Sequence, residues 1–541
     1  MPPDTTYIQS LSTAYATQPM LALVSLGWAV LFAGAAVAAL RRVWRRDDDA
    51  LAFAALVAGA AALRLAVPHG PFAFVEAERL SSLWTPTFGI NRPFLSWGAL
   101  LGVLRALGCS PAALFRYGNP LAGALGVGLL FSLARAAGLS RRAAIAAGCV
   151  LLAWPAHVRY SASGDLVIPG SALWTGAFAV ALAPGIARRW RLPLLIAACV
   201  VGCEMRPEYT ICAAALIVMA SHTEGLSLPW LALAATGVAL VVSGRLVPNV
   251  ALTQWSWRHL SPAILYEDFI ALFDPALTPS WWVLAGAVGL ALGALPPRVR
   301  LASGAAVLLL AIAYGTLGNE ENPLWGQSRY TLTFVPLLAL GAAALVERAP
   351  APARPHALAA MALAALLSGP LYAALLLRPV NTQLEYAYLT ETAPRFMAGT
   401  RDVLMLDEPP VGGHAGQWIP QGLPAMALGV TVSSADIQHH CPAVTNARNV
   451  HVWTIALADC PFFADARGQG RLVLYAGVFR PEASWRALVE RLRLEPLDER
   501  TLRGASLLPT MYDRQCASGR WYVGAAAPDC AARVGWYRVA P

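Results

Sequence analysis

Long apolar runs separated by short polar links make up most of this chain. They recur from about residue 20 to residue 377. A helix that crosses a bilayer needs about 20 mostly apolar residues. The links alternate between Arg-rich segments and segments with acidic and aromatic residues, as expected when successive helices run in opposite directions through a membrane. This pattern predicts a polytopic α-helical membrane protein with about twelve spanning or half-spanning helices.

The predicted runs differ in length, and some are too short to cross a bilayer. They lie at residues 20–40, 51–67, 94–107, 120–134, 143–155, 166–186, 192–205, 209–220, 228–242, 331–346 and 356–377, with two more between 281 and 318. The run 94–107 is short and flanked by arginines, so it is expected to lie along the interface or to re-enter partway. Residues 206–208 break the pair 192–205 and 209–220, and each half is short for a full span.

Basic links predict the orientation of the helices. The Arg-rich segment 41–46 follows the first run and is expected to be cytoplasmic. Alternation then places the loop 67–93, the loop 157–165 and the residues after 381 outside the cytoplasm. The N-terminal segment is polar and has no basic region, which favours a retained first helix over a cleaved signal peptide.

Composition supports the membrane class and excludes others. The chain of 541 residues is 57% hydrophobic and 13% charged, with a mean hydropathy of +0.53, whereas soluble proteins carry about 25% charged residues. The net charge of +9 comes mostly from arginines in short links, so it does not indicate nucleic-acid binding. The sequence has no P-loop and no HExxH motif, and the cytoplasmic links are too short for a nucleotide-sugar domain. These features argue against soluble nucleotide donors and ATP-driven transport.

The tail differs from the rest of the chain and predicts a second domain. Residues 1–380 form the membrane domain, and residues 381–541 have the length of one soluble domain. Short apolar segments at 403–406, 450–456 and 472–478 are typical of strands, and 481–494 has helical spacing. The mixture predicts an extracytoplasmic α/β domain.

The nine cysteines fall into two groups. Those in or beside apolar runs are expected to be small buried residues: Cys109, Cys149, Cys199, Cys203 and Cys212. Those in the tail are expected to form two disulfides in an oxidising compartment: Cys441, Cys460, Cys516 and Cys530. A zinc site is the alternative, although no CxxC spacing supports it.

The order of several short motifs resembles a known family. The motifs are Val75-Glu76, the run from Arg92-Pro93 to Leu107-Gly108, Arg116 in a turn, Trp154-Pro155 with Arg159, residues 206–208 and residues 329–340. Their order resembles the polyprenyl-phosphate-dependent integral-membrane glycosyltransferases of the GT-C superfamily, which include protein O-mannosyltransferase-like and aminoarabinose-transferase-like enzymes. The resemblance covers residues 50–350. Where the family has an Asp-Glu pair, this chain has Val75 before Glu76.

The resemblance implies an inverting glycosyl transfer at the outer face of the plasma (bacterial inner) membrane. The donor would be a polyprenyl-phosphate-linked sugar and the acceptor an extracytoplasmic glycan, lipid or protein, with membrane lipids around the enzyme. Two alternatives stay open. One is a transporter or lipid flippase, to which charges in a broken helix pair would be suited. The other is a catalytically inactive relative, because the acidic pair is incomplete at Val75.

Three carboxylates are candidates for catalysis. Glu76 and Glu78 lie in the predicted external loop, and the family places its base at the position of Glu76. A base must accept the proton of the attacking acceptor. Glu78 has the alternative of a charge favoured at a helix start. Asp165 follows Gly164 at a predicted helix start, where N-capping is the alternative to an active-site role.

Candidates for binding the donor phosphate are Arg159, Arg206, Arg258, His259 and Arg329. Arginine suits phosphate because its planar group donates several hydrogen bonds. Each candidate has a structural alternative: snorkelling at Arg159, an ion pair with Glu208 at Arg206, interfacial anchoring at Arg258 and His259, and a salt bridge at Arg329. No metal ligands are predicted. A divalent cation, Mg or Mn, stays an open alternative, because some members of the family need one and others do not.

Overall fold

The computed structural model describes part of the chain. The described residues are 40–41, 43–44, 47–70, 104, 107–165, 167–184, 186–205, 209–224, 272–273, 277–315, 327–376, 379, 381–396, 403–407, 452–453, 473–476, 489–490, 493–503 and 531–539. The predicted runs at 20–40, 94–107 and 228–242 lie largely or wholly outside them.

Helices dominate the described residues. Their bounds are α1 Asp47–Ala66, α2 Pro111–Ala136, α3 Arg141–Leu152, α4 Pro155–Ser161, α5 Val167–Leu182, α6 Arg188–Met205, α7 Tyr209–Glu224, α8 Ser280–Leu292, α9 Pro297–Gly315, a 3-10 turn Gln327–Thr333, α10 Val335–Glu347, α11 Arg354–Leu376 and α12 Asn381–Phe396. One apolar cluster joins the helices from α1 to α11. The predicted α-helical class is therefore correct for this part of the chain.

Local sequence signals explain where several of these helices begin and end. The side chain of Ser110 accepts from the Ala113 amide at 3.2 Å and caps α2, and Ser140 caps α3 through Ala143 at 3.2 Å. Such hydroxyls satisfy donors that the first helical turn leaves open. Gly138, between α2 and α3, has a φ of 91°, which favours glycine. The short turn makes α2 and α3 neighbours, and the two helices pack together.

Several helices meet the length and composition of membrane spans. Within the described residues these are Asp48–Ala66, Ala113–Ala136 and Pro297–Tyr314, and the bent pair α3–α4 would make a fourth. Shorter apolar helices include Val167–Leu182, Tyr209–Ser221, Ser280–Leu292 and Val335–Glu347. Large apolar side chains point outward, among them Leu51, Leu121, Leu284, Leu301, Leu308 and Leu367. An apolar outer surface of this extent is typical of a protein surrounded by lipid.

Glycines allow α8 and α10 to pack closely. A Cβ built on Gly289 would lie 1.8 Å from the carbonyl oxygen of Gly341, and one built on Gly341 would lie 2.3 Å from that of Gly286. Small residues let helix backbones approach each other in membranes, where dispersion contacts replace the hydrophobic effect between helices. These glycines hold α10, and with it the 3-10 turn that precedes α10, against the bundle.

The helix pair broken at residues 206–208 is longer than predicted. Helix α6 has 18 residues and α7 has 16, which corresponds to about 27 Å and 24 Å at 1.5 Å per residue. The prediction was wrong at the start of α6 because residues 188–191 join the helix instead of forming a link. Residues 206–208 themselves lie outside the described part of the chain.

The described tail consists of α12 and a five-stranded sheet. The strands are β1 Val403–Asp407, β2 Val452–Trp453, β3 Val473–Ala476, β4 Leu494–Arg503 and β5 Ala531–Val539, in the order β2-β1-β3-β5-β4. Strand β1 is parallel to β2 and β3, while β5 is antiparallel to β3 and β4. Strands β2 and β3 lie within two of the segments predicted as strands, and β1 extends one residue beyond the predicted segment 403–406. The predicted helix 481–494 lies mostly outside the described residues, and its last residue starts β4.

Four of the membrane-domain cysteines are buried as predicted, but Cys109 is exposed. Its prediction was wrong because Cys109 lies between the turn at Leu107-Gly108 and the start of α2, outside the packed helices. The four tail cysteines lie outside the described residues, so the predicted disulfides stay a prediction.

Candidate active site

Several chain segments meet at one end of the helix bundle, which we call the site end. The Gly70 amide, just after α1, donates to the Ala162 carbonyl at 3.2 Å. The Asn119 amide group, near the start of α2, donates to the carbonyls of Ser163 and Asp165 at 2.6 and 2.8 Å. The turn from Ala162 to Asp165, which leads into α5, is thereby held from two sides.

The opposite end of the bundle carries a separate charge cluster. Arg135 at the end of α2 pairs with Asp49 at 3.3 Å, and Arg141 at the start of α3 pairs with Asp48 at 2.9 Å. Both aspartates lie in the first turn of α1, about 25 to 30 Å along that helix from its other end. Charges at the two ends therefore belong to different sites.

Asp165 is fully buried at the site end, and its two carboxylate oxygens have different partners. Oδ1 accepts from the Val167 amide at 2.9 Å, which caps the first turn of α5 as the sequence suggested. Oδ2 lies 3.4 Å from Nη1 of Arg329. The Asp165 side chain is 0% exposed and the Arg329 side chain 11%, so the pair is shielded from water. The carboxylate both begins a helix and neutralises a buried arginine.

Arg329 lies in the 3-10 turn and is the partner of Asp165 across a long stretch of sequence. Its Nη2 donates to the Tyr330 hydroxyl at 3.0 Å, and its guanidinium lies 4.8 Å from the centre of that ring. The Tyr330 ring stacks on Tyr314 of α9 at 4.7 Å. Arg329 therefore forms its ion pair with Asp165, while Glu320 and Glu321, the partners that the sequence offered, lie outside the described residues.

The segment 157–165, predicted as an external loop, is largely helical and buried. Helix α3 ends at Leu152 and α4 begins at Pro155, with a 60° bend between them. Proline has no amide hydrogen and disfavours the helical conformation in the residue before it, and Trp154 has an extended ψ of 116°. All seven residues of α4 are buried. The loop prediction was wrong because proline starts a new helix here instead of ending the span.

Arg159 lies in the buried helix α4. It is 7% exposed, so it does not reach solvent as snorkelling requires. The short helix α4 contacts the 3-10 turn that carries Arg329. Arg159 and Arg329 therefore occupy neighbouring elements at the site end.

Arg64 supplies hydrogen-bond donors at the bend between α3 and α4. The sequence analysis did not predict this role. An intact helix would pair the amides of residues 155 and 156 with the carbonyls of Leu151 and Leu152. Pro155 has no such amide, and the Ala156 amide donates to Leu277 instead, at 2.8 Å. Arg64 donates to Leu151 and Leu152 at 3.4 and 3.5 Å.

Arg64 is also bonded to His157. Its Nη2 lies 2.7 Å from His157 Nδ1, and since arginine only donates, Nδ1 must accept. Arg64 is 0% exposed. A Cβ built on Gly123 would lie 3.1 Å from Arg64 Nε, so the glycine leaves room for the guanidinium. The available signal was a lone charge near the end of an apolar helix, which is usually functional or structurally paired.

The described residues include only part of the predicted site. Asp165, Arg159 and Arg329 lie together at the site end, as described above. The other candidates lie outside the described residues: Glu76, Glu78, Arg206, Arg258 and His259. Arg116, predicted in a turn, lies in α2 because that helix begins already at Pro111.

The break at residues 206–208 is followed by a residue at the same end of the bundle. Tyr209 starts α7 and is fully buried. A Cβ built on Gly170, in the first turn of α5, would lie 2.3 Å from the Tyr209 hydroxyl oxygen. The start of α7 therefore packs against the start of α5, directly after Asp165.

The described residues do not assemble a metal centre by themselves. Among them, no three His, Cys, Asp or Glu side chains come together in a way that could hold an ion. Both oxygens of Asp165 are engaged by protein donors. We derive no chemical step through a divalent cation from these residues.

Comparison with solved structures identifies the class of fold. ArnT from Cupriavidus metallidurans in the apo state matches with a TM-score of 0.53 and 14% identity, over 95% of this chain and 98% of that chain. The arabinofuranosyltransferase AftD from Mycobacteria, as the R1389S mutant, matches with a TM-score of 0.46 and 16% identity, over 90% of this chain and 41% of that chain. No protein-family model and no curated protein matches the chain by sequence.

The match to ArnT extends along nearly the whole chain. This protein therefore shares the fold of ArnT, and the resemblance predicted from its motifs is confirmed at the level of fold. The site end, with its buried Asp165–Arg329 pair, is the part of that fold in which the described charged residues of the predicted site come together.

Proposed function

We propose that this protein is a membrane glycosyltransferase that moves a sugar from a polyprenyl phosphate to an extracytoplasmic acceptor, with inversion. The observation that carries the proposal is the GT-C fold shared with ArnT, an aminoarabinose transferase, over almost the full length of both chains. Buried arginines beside an acidic side chain at one end of an apolar bundle suit an anionic donor anchored in lipid.

The proposed step is a single displacement. An acceptor hydroxyl or amine forms a bond to the anomeric carbon while the bond from that carbon to the phosphate oxygen breaks. The polyprenyl phosphate leaves with the electron pair, and a carboxylate takes the proton of the acceptor. Glu76 is the proposed base, and Glu78 is the alternative.

The arginines are proposed to neutralise the leaving phosphate. Arg159 and Arg329 come from the described site end, and Arg206, Arg258 and His259 are further candidates. Asp165 keeps Arg329 at the site end through the 3.4 Å ion pair. Charge neutralisation at the leaving oxygen acts mainly in the transition state, which is where it accelerates the reaction.

The proposed location is the plasma (bacterial inner) membrane, with residues 381–541 outside the cytoplasm. Reagents that label proteins only from outside test this orientation. Tail residues should react in intact cells, and residues near Asp48 should react only after the membrane is opened. Labelling of the tail only after the membrane is opened would show that the orientation is the reverse of the proposed one.

Release of polyprenyl phosphate tests the activity. Purified protein in lipid nanodiscs is mixed with a polyprenyl-phosphate sugar and an acceptor, and both products are measured. Glu76→Gln should lower the rate by at least about 100-fold, the range for loss of a general base. Asp48→Asn, at the opposite end of the bundle, is the matched control and should keep the wild-type rate.

Other outcomes separate the competing functions. No release with any donor would favour an inactive relative, and movement of lipid across vesicles without transfer would indicate a flippase. Release that Glu76→Gln leaves unchanged would remove Glu76 from the mechanism. Rates measured with EDTA, and then with Mg or Mn added back, test for a divalent cation.

A further inference from the structure

Helix α12 contacts the segment that follows α1. The side-chain amide of Gln383 donates to the Pro68 carbonyl at 2.6 Å. Gln383 is only 4% exposed, although it lies in the first turn of a helix at the start of the predicted soluble tail. A buried side chain that donates to a loop carbonyl restrains that loop, because leaving either group unpaired would be costly.

Gly70 fits against the same glutamine. A Cβ built on Gly70 would lie 2.8 Å from Gln383 Cγ and 2.9 Å from Gln383 Cα. The second contact is with backbone, so rotation of the side chain would not relieve it. On its other side, the Gly70 amide donates to Ala162 at 3.2 Å. The backbone from Pro68 to Gly70 is therefore held between α12 and the turn that leads to Asp165.

An aromatic pair supports the same docking. Phe115 of α2 and Tyr386 of α12 meet edge to face, with ring centres 5.1 Å apart. Both side chains are buried, and burial raises the pKa of Tyr386 to about 12. Such pairs contribute beyond their buried area.

The second half of α12 is held by the sheet. The indole of Trp536 in β5 donates to the Thr392 hydroxyl at 2.8 Å, and the Tyr388 hydroxyl donates to the Asp498 carbonyl of β4 at 3.4 Å. Arg500 forms a two-point ion pair with Glu391 at 2.8 and 3.0 Å. One helix thus contacts the sheet through one half and the bundle through the other.

We infer that Gln383 is a positioning residue for the reaction. It holds Pro68–Gly70 against Ala162, at the base of the turn that presents Asp165, and it makes α12 and the sheet part of the catalytic unit. This inference rests on the proposed function.

Hydrogen exchange tests the contact without needing activity. In nanodiscs, Gln383→Met removes the donor and keeps a side chain of similar size. Amides of the peptide containing residues 67–70 should exchange at least about tenfold faster than in wild type, while peptides from α2 and α3 stay unchanged. Thr390→Val, at an exposed position of the same helix, is the control and should leave residues 67–70 protected. Unchanged exchange in Gln383→Met would overturn the inference.

The kinetic test separates positioning from general destabilisation. Gln383→Met should lower kcat at least about tenfold with little change in the KM for the lipid donor, since misplacement of reacting groups lowers kcat. Gly70→Ala should reproduce both effects, because its new methyl group must displace α12. Faster exchange at residues 67–70 with an unchanged kcat would refute a positioning role while leaving the proposed function intact.

An inactive wild-type protein would refute the proposed function, and with it the catalytic part of this inference. The exchange experiment would still decide whether Gln383 holds the segment. If the tail only binds an acceptor or covers a cavity, Gln383→Met should raise the KM for the acceptor and leave residues 67–70 protected, which is the opposite pattern.

Discussion

Asp165 and Arg329 are 164 residues apart in the sequence and form a buried ion pair with 3.4 Å between Oδ2 and Nη1. Burying two charges in a protein interior is costly unless they are paired and hydrogen-bonded. Here the carboxylate also caps α5 through Oδ1, and the guanidinium also donates to Tyr330. The pair therefore links the start of α5 to the 3-10 turn before α10.

Removing one charge of this pair should destabilise the protein strongly. Asp165→Asn keeps an oxygen that can cap α5 but removes the negative charge beside Arg329, and it should cost about 3 kcal/mol or more. The double variant Asp165→Asn with Arg329→Gln should cost clearly less than the sum of the two single changes. Thermal unfolding in one fixed detergent measures the three variants, and strictly additive effects would contradict an energetic coupling.

Arg64 should be needed for the bend between α3 and α4. Arg64→Met removes the donors to Leu151, Leu152 and His157, so the acceptor atoms of these residues lose these hydrogen bonds inside the bend. The free energy of unfolding should fall by about 2 to 3 kcal/mol. Arg64→Lys should rescue little, because an ammonium group cannot reproduce the planar fork. Leu63→Met, next to Arg64 and similar in volume, should be almost neutral in the same unfolding assay. Full stability of Arg64→Lys would show that charge alone suffices.

Two glycines in helices should respond to alanine in opposite ways. Gly289→Ala places a methyl group against the Gly341 carbonyl at the α8–α10 contact and should destabilise by at least about 2 kcal/mol, through overpacking. Gly304→Ala, in α9, meets no atom within 4 Å and should be neutral or slightly stabilising, since alanine favours helices. Purification yield and the unfolding midpoint measure the effect of each substitution. Equal effects would show that the close approach of α8 and α10 is not needed.

His69, just after α1, should make stability depend on pH. Burial first, and the positive charge of Arg116 second, lower the pKa of His69 below its usual 6.5. The unfolded chain therefore takes up this proton before the folded protein does. The contribution of His69 is complete above pH 6.5 and is lost as pH falls from 6.5 towards the folded-state pKa.

The measurement compares unfolding midpoints above and below pH 6.5, the usual pKa of histidine. Wild type should lose stability between about pH 7.5 and pH 5.5, and His69→Gln should lose less over the same interval. His356→Gln, at an exposed position in α11, should keep the wild-type dependence. An unchanged slope in His69→Gln would remove this histidine as a source of the effect.

Sequence pattern predicted the class of the protein and most helices of the described bundle. Apolar length and a capping aspartate are local signals, and they correctly marked α1 and the start of α5. The order of short motifs also predicted a resemblance that the fold shared with ArnT confirms. These features depend on neighbouring residues, so a single sequence carries them directly.

Other features escaped prediction because they arise from contacts far along the chain. Strands β4 and β5 pair along most of their length, yet β4 has the polar sequence LEPLDERTLR, which shows no apolar alternation. The loop predicted at residues 157–165 proved to contain α4, because Arg64 and Leu277 supply the hydrogen-bond partners that a bend after Trp154 requires.

By itself, the sequence determined a lipid-embedded helical bundle with acids and arginines available for chemistry, because hydrophobic length and helix-breaking residues act locally. Only the tertiary structure decided which of those charges meet. Asp165 pairs with Arg329, Arg64 donates to His157, and Gln383 donates to Pro68, which is 315 residues away in the sequence. A buried charge or polar group needs a hydrogen-bonding or ionic partner, and the fold decides which residue lies close enough to be that partner. The pattern of residues along the sequence does not show which residues will be close in space.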